Sequence, residues 1–169
     1  MTACQTMELN TGWGSFLLAG DDRHLYWVGL PGEGQMPALQ RFAGRNDLTL
    51  SPGGSQLLVR TARELEQYLD GRRQDFTIPL HLRGTPFQQA VWQALLAIPW
   101  GQTRAYSEIA AVVGRPRGAR AVGMAVHNNP VAVIVPCHRV IGRDGSLVGF
   151  GGGLPLKERL LRLEGVLQT

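Results

Sequence analysis

Turn-forming residues interrupt this chain at short intervals: 22 of its 169 residues are glycine and 10 are proline. The sequence is loop-rich, yet it stays below the roughly 25–30% Gly plus Pro that marks low complexity. The longest apolar runs, Val131–Val135 among them, have five residues, far short of the ~20 that a membrane-spanning helix needs. Hydrophobic residues make up 44% and charged residues 18%. That supplies a real core and excludes an intrinsically disordered chain. At about 150 residues per domain, the length fits one large domain or two small ones. The first residues, Met1-Thr-Ala-Cys-Gln5, show no basic region followed by an apolar stretch. A secretory signal is therefore not expected, and a cytoplasmic address is.

The pattern divides the chain near residue 80, into an N-terminal α/β domain over 1–80 and a helical domain over 81–169. Ser15–Ala19 and His24–Val28 are apolar, aromatic-rich runs on either side of Gly20-Asp-Asp, which reads as a β unit within residues 5–30. Residues 31–54 read as loop, with a short helix around Ala38–Phe42. Leu58, Ala62, Leu65 and Leu69 fall on one helical face, and Gly71 follows as a stop, so the spacing predicts a helix over Ser55–Leu69. Phe76–Leu80 predicts a short strand. Thr85-Pro-Phe-Gln88 then carries an N-cap threonine, a first-turn proline and the Gln of a capping box. Phe87, Val91, Ala94, Leu95 and Ile98 share the face of that helix, and Pro99 ends it. Tyr106–Val113, stopped by Gly114, and Arg117–His127, closed by Asn128-Asn129-Pro130, outline a helix-turn-helix. Many packed helix pairs share that outline. Val131–Ile141 reads as extended and broken by Pro136. Gly149–Gly153 is a glycine loop, and Pro155–Glu164 is a last helix.

Charge is unevenly spread. Residues 1–80 are slightly acidic, whereas basic residues dominate 81–169. No acid lies between Glu108 and Asp144, a stretch that holds Arg115, Arg117, Arg120, Arg139 and Arg143. A basic stripe confined to one half is the footprint of a polyanion partner. It is equally the pattern of a solvated basic face.

Two cysteines, Cys4 and Cys137, make no disulfide framework and no four-thiol metal site. In Pro136-Cys137-His138-Arg139, a thiol sits beside a base and a cation. A thiol attacks only as thiolate and ordinarily titrates near 8.5, so activation needs such neighbours. In a regular strand adjacent side chains point to opposite faces. The pair therefore works together only if the chain bends there or a water bridges the two. As a bare dipeptide, a buried structural cysteine is the commoner outcome.

The wider segment Asn129-Pro-Val-Ala-Val-Ile-Val-Pro-Cys-His-Arg-Val140 resembles the active-site segment of the O6-alkylguanine-DNA alkyltransferases, the methylated-DNA–protein-cysteine methyltransferases. The likeness extends through Pro99-Trp-Gly-Gln-Thr-Arg-Ala-Tyr-Ser-Glu-Ile-Ala110, Ala119-Arg-Ala-Val-Gly-Met-Ala125, Gly149-Phe-Gly-Gly-Gly-Leu154 and Lys157-Glu-Arg-Leu-Leu-Arg-Leu-Glu-Gly165. It is dense over 85–165 and only in outline over 6–80.

The resemblance implies a ribonuclease H-like N-terminal domain followed by a winged helix-turn-helix-like DNA-binding domain. It implies repair in which Cys137 takes an alkyl group from O6 of guanine in DNA, or from O4 of thymine, and is consumed without a cofactor. In that frame His138 removes the thiol proton through water, Glu164 orients the imidazole, and Asn129 is the hinge asparagine. The resemblance puts Tyr106, Val140, Gly151 and Gly152 around the base. It puts Arg120 in the stack vacated by a flipped nucleotide. Ala121 and Gly123 allow close approach to the minor groove, and Ser107, Arg115 and Arg143 contact the DNA backbone. The implied partner is double-stranded DNA carrying alkylated guanine, with no obligate protein partner, so a monomer.

Phe150 and Gly151 depart from the family's frequent Tyr and Ser, which bears on the size of alkyl group accepted. Some members bind zinc in the N-terminal half. Cys4, His24 and His81 are at most three candidate ligands, where structural zinc wants four. No metal is expected, and Cys4 reads as a mobile terminal thiol. Two other readings stand beside repair: a non-catalytic lesion binder, against which Cys137 speaks, and a thiol hydrolase using Cys137, His138 and Glu164.

Overall fold

The computed structural model describes residues 1–150 and 152–168. It divides into two compact units, Met1–Arg83 and Gly84–Thr169.

In the first unit, strands β1 (Thr2–Thr11), β2 (Gly14–Gly20) and β3 (Leu25–Gly29) are joined by helix α1 (Gln35–Arg45) to strand β4 (Leu48–Pro52), and helix α2 (Gln56–Leu69) follows. The sheet order is β3-β2-β1-β4. The β1–β2 and β2–β3 pairs are antiparallel and β1–β4 is parallel. Side chains alternate across a strand. Leu17 and Ala19 of β2 accordingly join Cys4, Tyr26 and Leu48 in a cluster with Leu39, Phe42 and Ala43 of α1. Phe16 and Leu18, of opposite parity, are fully buried as well, and α2 packs against β1 and β2. A strand buried on both faces reads as a continuous apolar run, which is what Phe16–Ala19 is. Ser55 caps α2 by accepting a hydrogen bond from the Leu58 amide at 3.2 Å.

Four sequence expectations need correction in this unit. Residues 31–54 are not mainly loop, because α1 is a full helix and Leu48–Pro52 pairs with β1. Thr2–Thr11 is itself a ten-residue strand, hidden because only Cys4 and Leu9 of it are buried and they lie on opposite faces, so no apolar–polar alternation shows. Cys4 is no mobile thiol: it sits mid-strand with 0% exposure, its side chain on the parity that faces α1. Phe76–Leu80 is not a strand, since only Leu80 makes an isolated bridge, to Leu25. Its Thr77 is spent on the buried Glu64 carboxylate, to which the amide donates at 2.8 Å.

The second unit opens with α3 (Pro86–Leu96), whose capping box is complete: the Gln88 amide donates to Thr85 Oγ1 at 3.2 Å and the Thr85 amide to Gln88 Oε1 at 2.9 Å. A short strand β5 (Arg104–Ala105) leads into α4 (Tyr106–Val112). Helix α5 (Ala119–His127) follows after a turn, and α3, α4 and α5 pack on one another. Strand β6 (Val140–Ile141) pairs in parallel with β5, and α6 (Leu154–Leu163) closes the unit. Among the described residues, no helix is long and apolar enough to cross a membrane.

Val131–Ile141 is not extended. All of residues 131–140 are buried. The chain folds back on itself through a bridge between Ala132 and Val135, then forms a 3-10 turn over Cys137–Arg139. Val133 has φ 70°, a left-handed conformation that is unusual for a β-branched residue. Strain of this kind persists only where the surroundings over-determine it. Here Asn129 does so: its Oδ1 accepts from the Val131 amide at 3.0 Å while its Nδ2 donates to the Val135 carbonyl at 2.9 Å.

Candidate active site

The 3-10 turn over Cys137–Arg139 replaces the strand geometry that would set adjacent side chains on opposite faces. In it Cys137 and His138 no longer alternate across a strand, and both are buried, at 6% and 0% exposure. His138 Nε2 donates to Glu164 Oε2 at 2.7 Å, so the tautomer that suits this bond leaves Nδ1 as the proton-accepting nitrogen. Glu164 is the C-cap residue of α6. Its carboxylate also takes Arg139 in a two-pronged pair, Nε to Oε1 at 2.8 Å and Nη2 to Oε2 at 2.9 Å. Arg139 Nη1 donates to the Ile98 carbonyl at 2.6 Å.

Arg139 thus serves Glu164 and not the thiol. The cation whose field reaches Cys137 is Lys157. It is fully buried, and its ammonium donates to the Val140 carbonyl at 2.6 Å and the Val148 carbonyl at 3.0 Å. Burial pushes the Cys137 thiol above its ordinary value, while a hydrogen bond from Asn129 and the Lys157 charge oppose that rise. Burial lowers the Lys157 ammonium to about 8. Burial also pushes His138 below its ordinary value; Glu164 works against this, and Arg139 and Lys157 reinforce it.

Tyr106 opens α4, and its hydroxyl donates to the Val148 carbonyl at 3.2 Å. Burial and the charge of Cys137 both raise its phenol, so the ring lies within electrostatic reach of the thiol. A Cβ at Gly123 of α5 or at Gly149 would come within 3.9 Å of Tyr106.

A model of the 6-O-methylguanine DNA methyltransferase DNA binding domain matches residues 86–166. Over 155 residues the chain is 42% identical to the methylated-DNA–protein-cysteine methyltransferase of Methanosarcina acetivorans, a match covering 90% of this chain and 92% of that one. The chain belongs to the methylated-DNA–protein-cysteine methyltransferase family. It is 54% identical over 103 residues to the Methanosarcina barkeri protein of the same name, a match that spans 61% of this chain and only 65% of that relative. Its fold matches the crystal structure of Mycobacterium tuberculosis OGT in complex with DNA with a TM-score of 0.80 at 41% identity, covering 96% of this chain and 92% of that one.

Within this family member, the structure brings Cys137, His138, Glu164, Asn129, Tyr106 and Val140 to one centre. Ser107 is half-buried on α4. Arg120 and Ala121 are exposed in the first turn of α5, which starts at Ala119. The Arg115 guanidinium lies 4.6 Å from the centre of the Phe87 ring, and Arg143 sits on the separate exposed turn after β6. Gly152 is in the loop before α6, and Gly151 lies outside the described residues. His24 and His81 meet edge to face at 5.6 Å. Among the described residues, no group of three or more His, Cys, Asp or Glu is placed to hold a metal ion.

Sequence reasoning missed the role of Lys157. The signal was present: Lys157, Leu160, Leu161 and Glu164 fall at i, i+3, i+4 and i+7, a buried helical stripe with a charge at either end.

Two expectations follow. Glu164→Gln leaves the buried Arg139 without its counter-charge, so urea denaturation should show a loss of about 3 kcal/mol. A loss below ~1 kcal/mol would mean that the pair is dispensable. Below pH ~6.5 an unfolded histidine gains a proton that folded His138 resists. His81, held down by burial, Arg83 and His24, acts in the same direction. The unfolded chain then binds more protons, so stability is complete above ~6.5 and falls as the pH drops through that value. The urea midpoint should decline from about pH 7 to about pH 5, and a flat or rising midpoint contradicts the assignment.

Proposed function

We propose that this protein repairs alkylated DNA by direct reversal, moving a methyl or other alkyl group from O6 of guanine, or O4 of thymine, irreversibly onto Cys137. The observation that carries this reading is a buried thiol set beside an imidazole that a buried carboxylate orients. The mycobacterial relative solved with DNA supports DNA as the partner.

In the proposed reaction, the thiol proton passes through a water to His138 Nδ1, and Glu164 stabilises the imidazolium. The thiolate attacks the alkyl carbon in line. An S–C bond forms as the C–O6 bond breaks, and the electron pair leaves with guanine, which takes up a proton in turn. Tyr106 exchanges the Val148 carbonyl for the purine and donates to it as charge develops. Asn129 holds the bend that presents the thiol. Val140, Gly151 and Gly152 frame the base. The product is a thioether, so each molecule acts once and needs no cofactor.

The thiol is buried, so the base must leave the stack to meet it. In this reading the C-terminal domain, 81–169, is a winged helix-turn-helix with α5 at the minor groove, and the N-terminal domain, 1–80, is ribonuclease H-like. Arg120 enters the vacated stack. Ala121 and Gly123 permit close approach, and Ser107, Arg115 and Arg143 meet phosphates.

Incubation with excess duplex carrying O6-methylguanine should add one methyl per molecule by intact mass, and Cys137→Ser should add none while still binding duplex. Repeated turnover would instead favour the thiol hydrolase, and binding without an adduct the lesion binder. Arg120→Ala should slow methyl transfer from duplex by roughly 100-fold, the scale of an unstacking cost of a few kcal/mol. Its second-order rate with the free base O6-methylguanine should stay within about twofold, because that substrate needs no flipping. Equal slowing of both substrates would make Arg120 a structural residue.

A further inference from the structure

Helix α5 buries Val122, Ala125 and Val126 and turns Arg120, Ala121, Met124 and His127 outward. At about 100° per residue, Arg120, Met124 and His127 fall within an arc of roughly 60°. Met124 is 60% exposed. An unbranched thioether leaving that much apolar surface in water contributes little to the core beneath it. It also stands within a stretch free of acidic residues from 109 to 143. The exposed Arg120 beside it on that arc makes this face complementary to a polyanion.

Building on the proposed repair function, we infer that Met124 is a second wedge: an apolar side chain that enters the minor groove beside Arg120 and props open the base step next to the flipped nucleotide. The rise along a helix puts residues i and i+4 about 6 Å apart, and base pairs stack at roughly 3.4 Å. With Arg120 in the vacated position, Met124 reaches the neighbouring step. Minor-groove proteins open steps with apolar wedges of this type, Met among them. A flexible, polarizable chain fits irregular gaps and reads no hydrogen-bond code, which suits a search for damage in any sequence. The division of labour is then explicit: Arg120 supplies charge and a stacking plane, and Met124 supplies the apolar contact that keeps the neighbouring pair from closing.

The test compares wild type, Met124→Ala and Met124→Leu, using second-order methylation rates with duplex O6-methylguanine and with the free base O6-methylguanine. Met124→Ala should lose about tenfold on duplex and stay within twofold on the free base. Met124→Leu, still an apolar wedge, should recover most of the duplex rate, and thermal melting of all three proteins should coincide. An unchanged duplex rate for Met124→Ala overturns the inference, and so does equal slowing on both substrates. Should wild type itself acquire no methyl group, the repair reading fails and takes the wedge with it. That outcome is distinct from an active wild type with an indifferent Met124.

Discussion

The second unit is organised around one buried carboxylate. Glu164 receives His138 on one oxygen and both prongs of Arg139 across the two. A charge at 3% exposure is tolerable only when its lone pairs are filled, and here the guanidinium and imidazole fill them. The same bonds join three distant parts of the chain: the end of α6, the 3-10 turn and, through Arg139 and the Ile98 carbonyl, the segment after α3. The carboxylate thus orients the imidazole and locks the turn that carries the thiol. In the proposed reaction the chemistry depends on the same contact as the fold, so a substitution at Glu164 disturbs both at once.

Asn129 and Lys157 complete the frame from opposite sides. Asn129 clamps Val131 and Val135, and the loop between them then has to turn through the left-handed Val133. Lys157 ties β6 to the loop that follows it, through the Val140 and Val148 carbonyls. Val148 accepts from Tyr106 as well, so one carbonyl connects the cation near the thiol with the phenol that bounds it. In the proposed reaction, freeing Tyr106 for a purine leaves that carbonyl to Lys157 alone.

Local rules made part of this legible. The capping box at Thr85, the apolar stripe of α2 and the stop at Gly114 depend on neighbours in sequence, and the structure has them. What depends on pairing was less visible. β4 is a short edge strand defined by its pairing with β1, and β1 carries no apolar–polar alternation to reveal its own strand character. At the site, the dipeptide Cys137-His138 was conspicuous, but the bend that makes it useful is imposed by Asn129 and by burial, both tertiary. Arg139 looked like an activator of the thiol because it is close in sequence. Lys157, twenty residues after Cys137 in sequence, holds that place because a helix returns it to the centre.

The resting state of the thiol follows from these opposing fields. Burial raises the Cys137 thiol and lowers His138, so the ground state is a neutral thiol beside a neutral imidazole. A thiolate fraction kept small slows reaction with stray electrophiles and oxidants. That matters for a protein consumed by one event, as proposed here. In the proposed reaction the proton moves only when the developing thiolate and imidazolium are stabilised together, by Lys157 on one side and Glu164 on the other. Both charges are in place before any substrate arrives, so the reaction needs little rearrangement of the protein. Burial holds both groups neutral at rest, and the same burial strengthens the fields of Lys157 and Glu164 on which the proposed reaction draws.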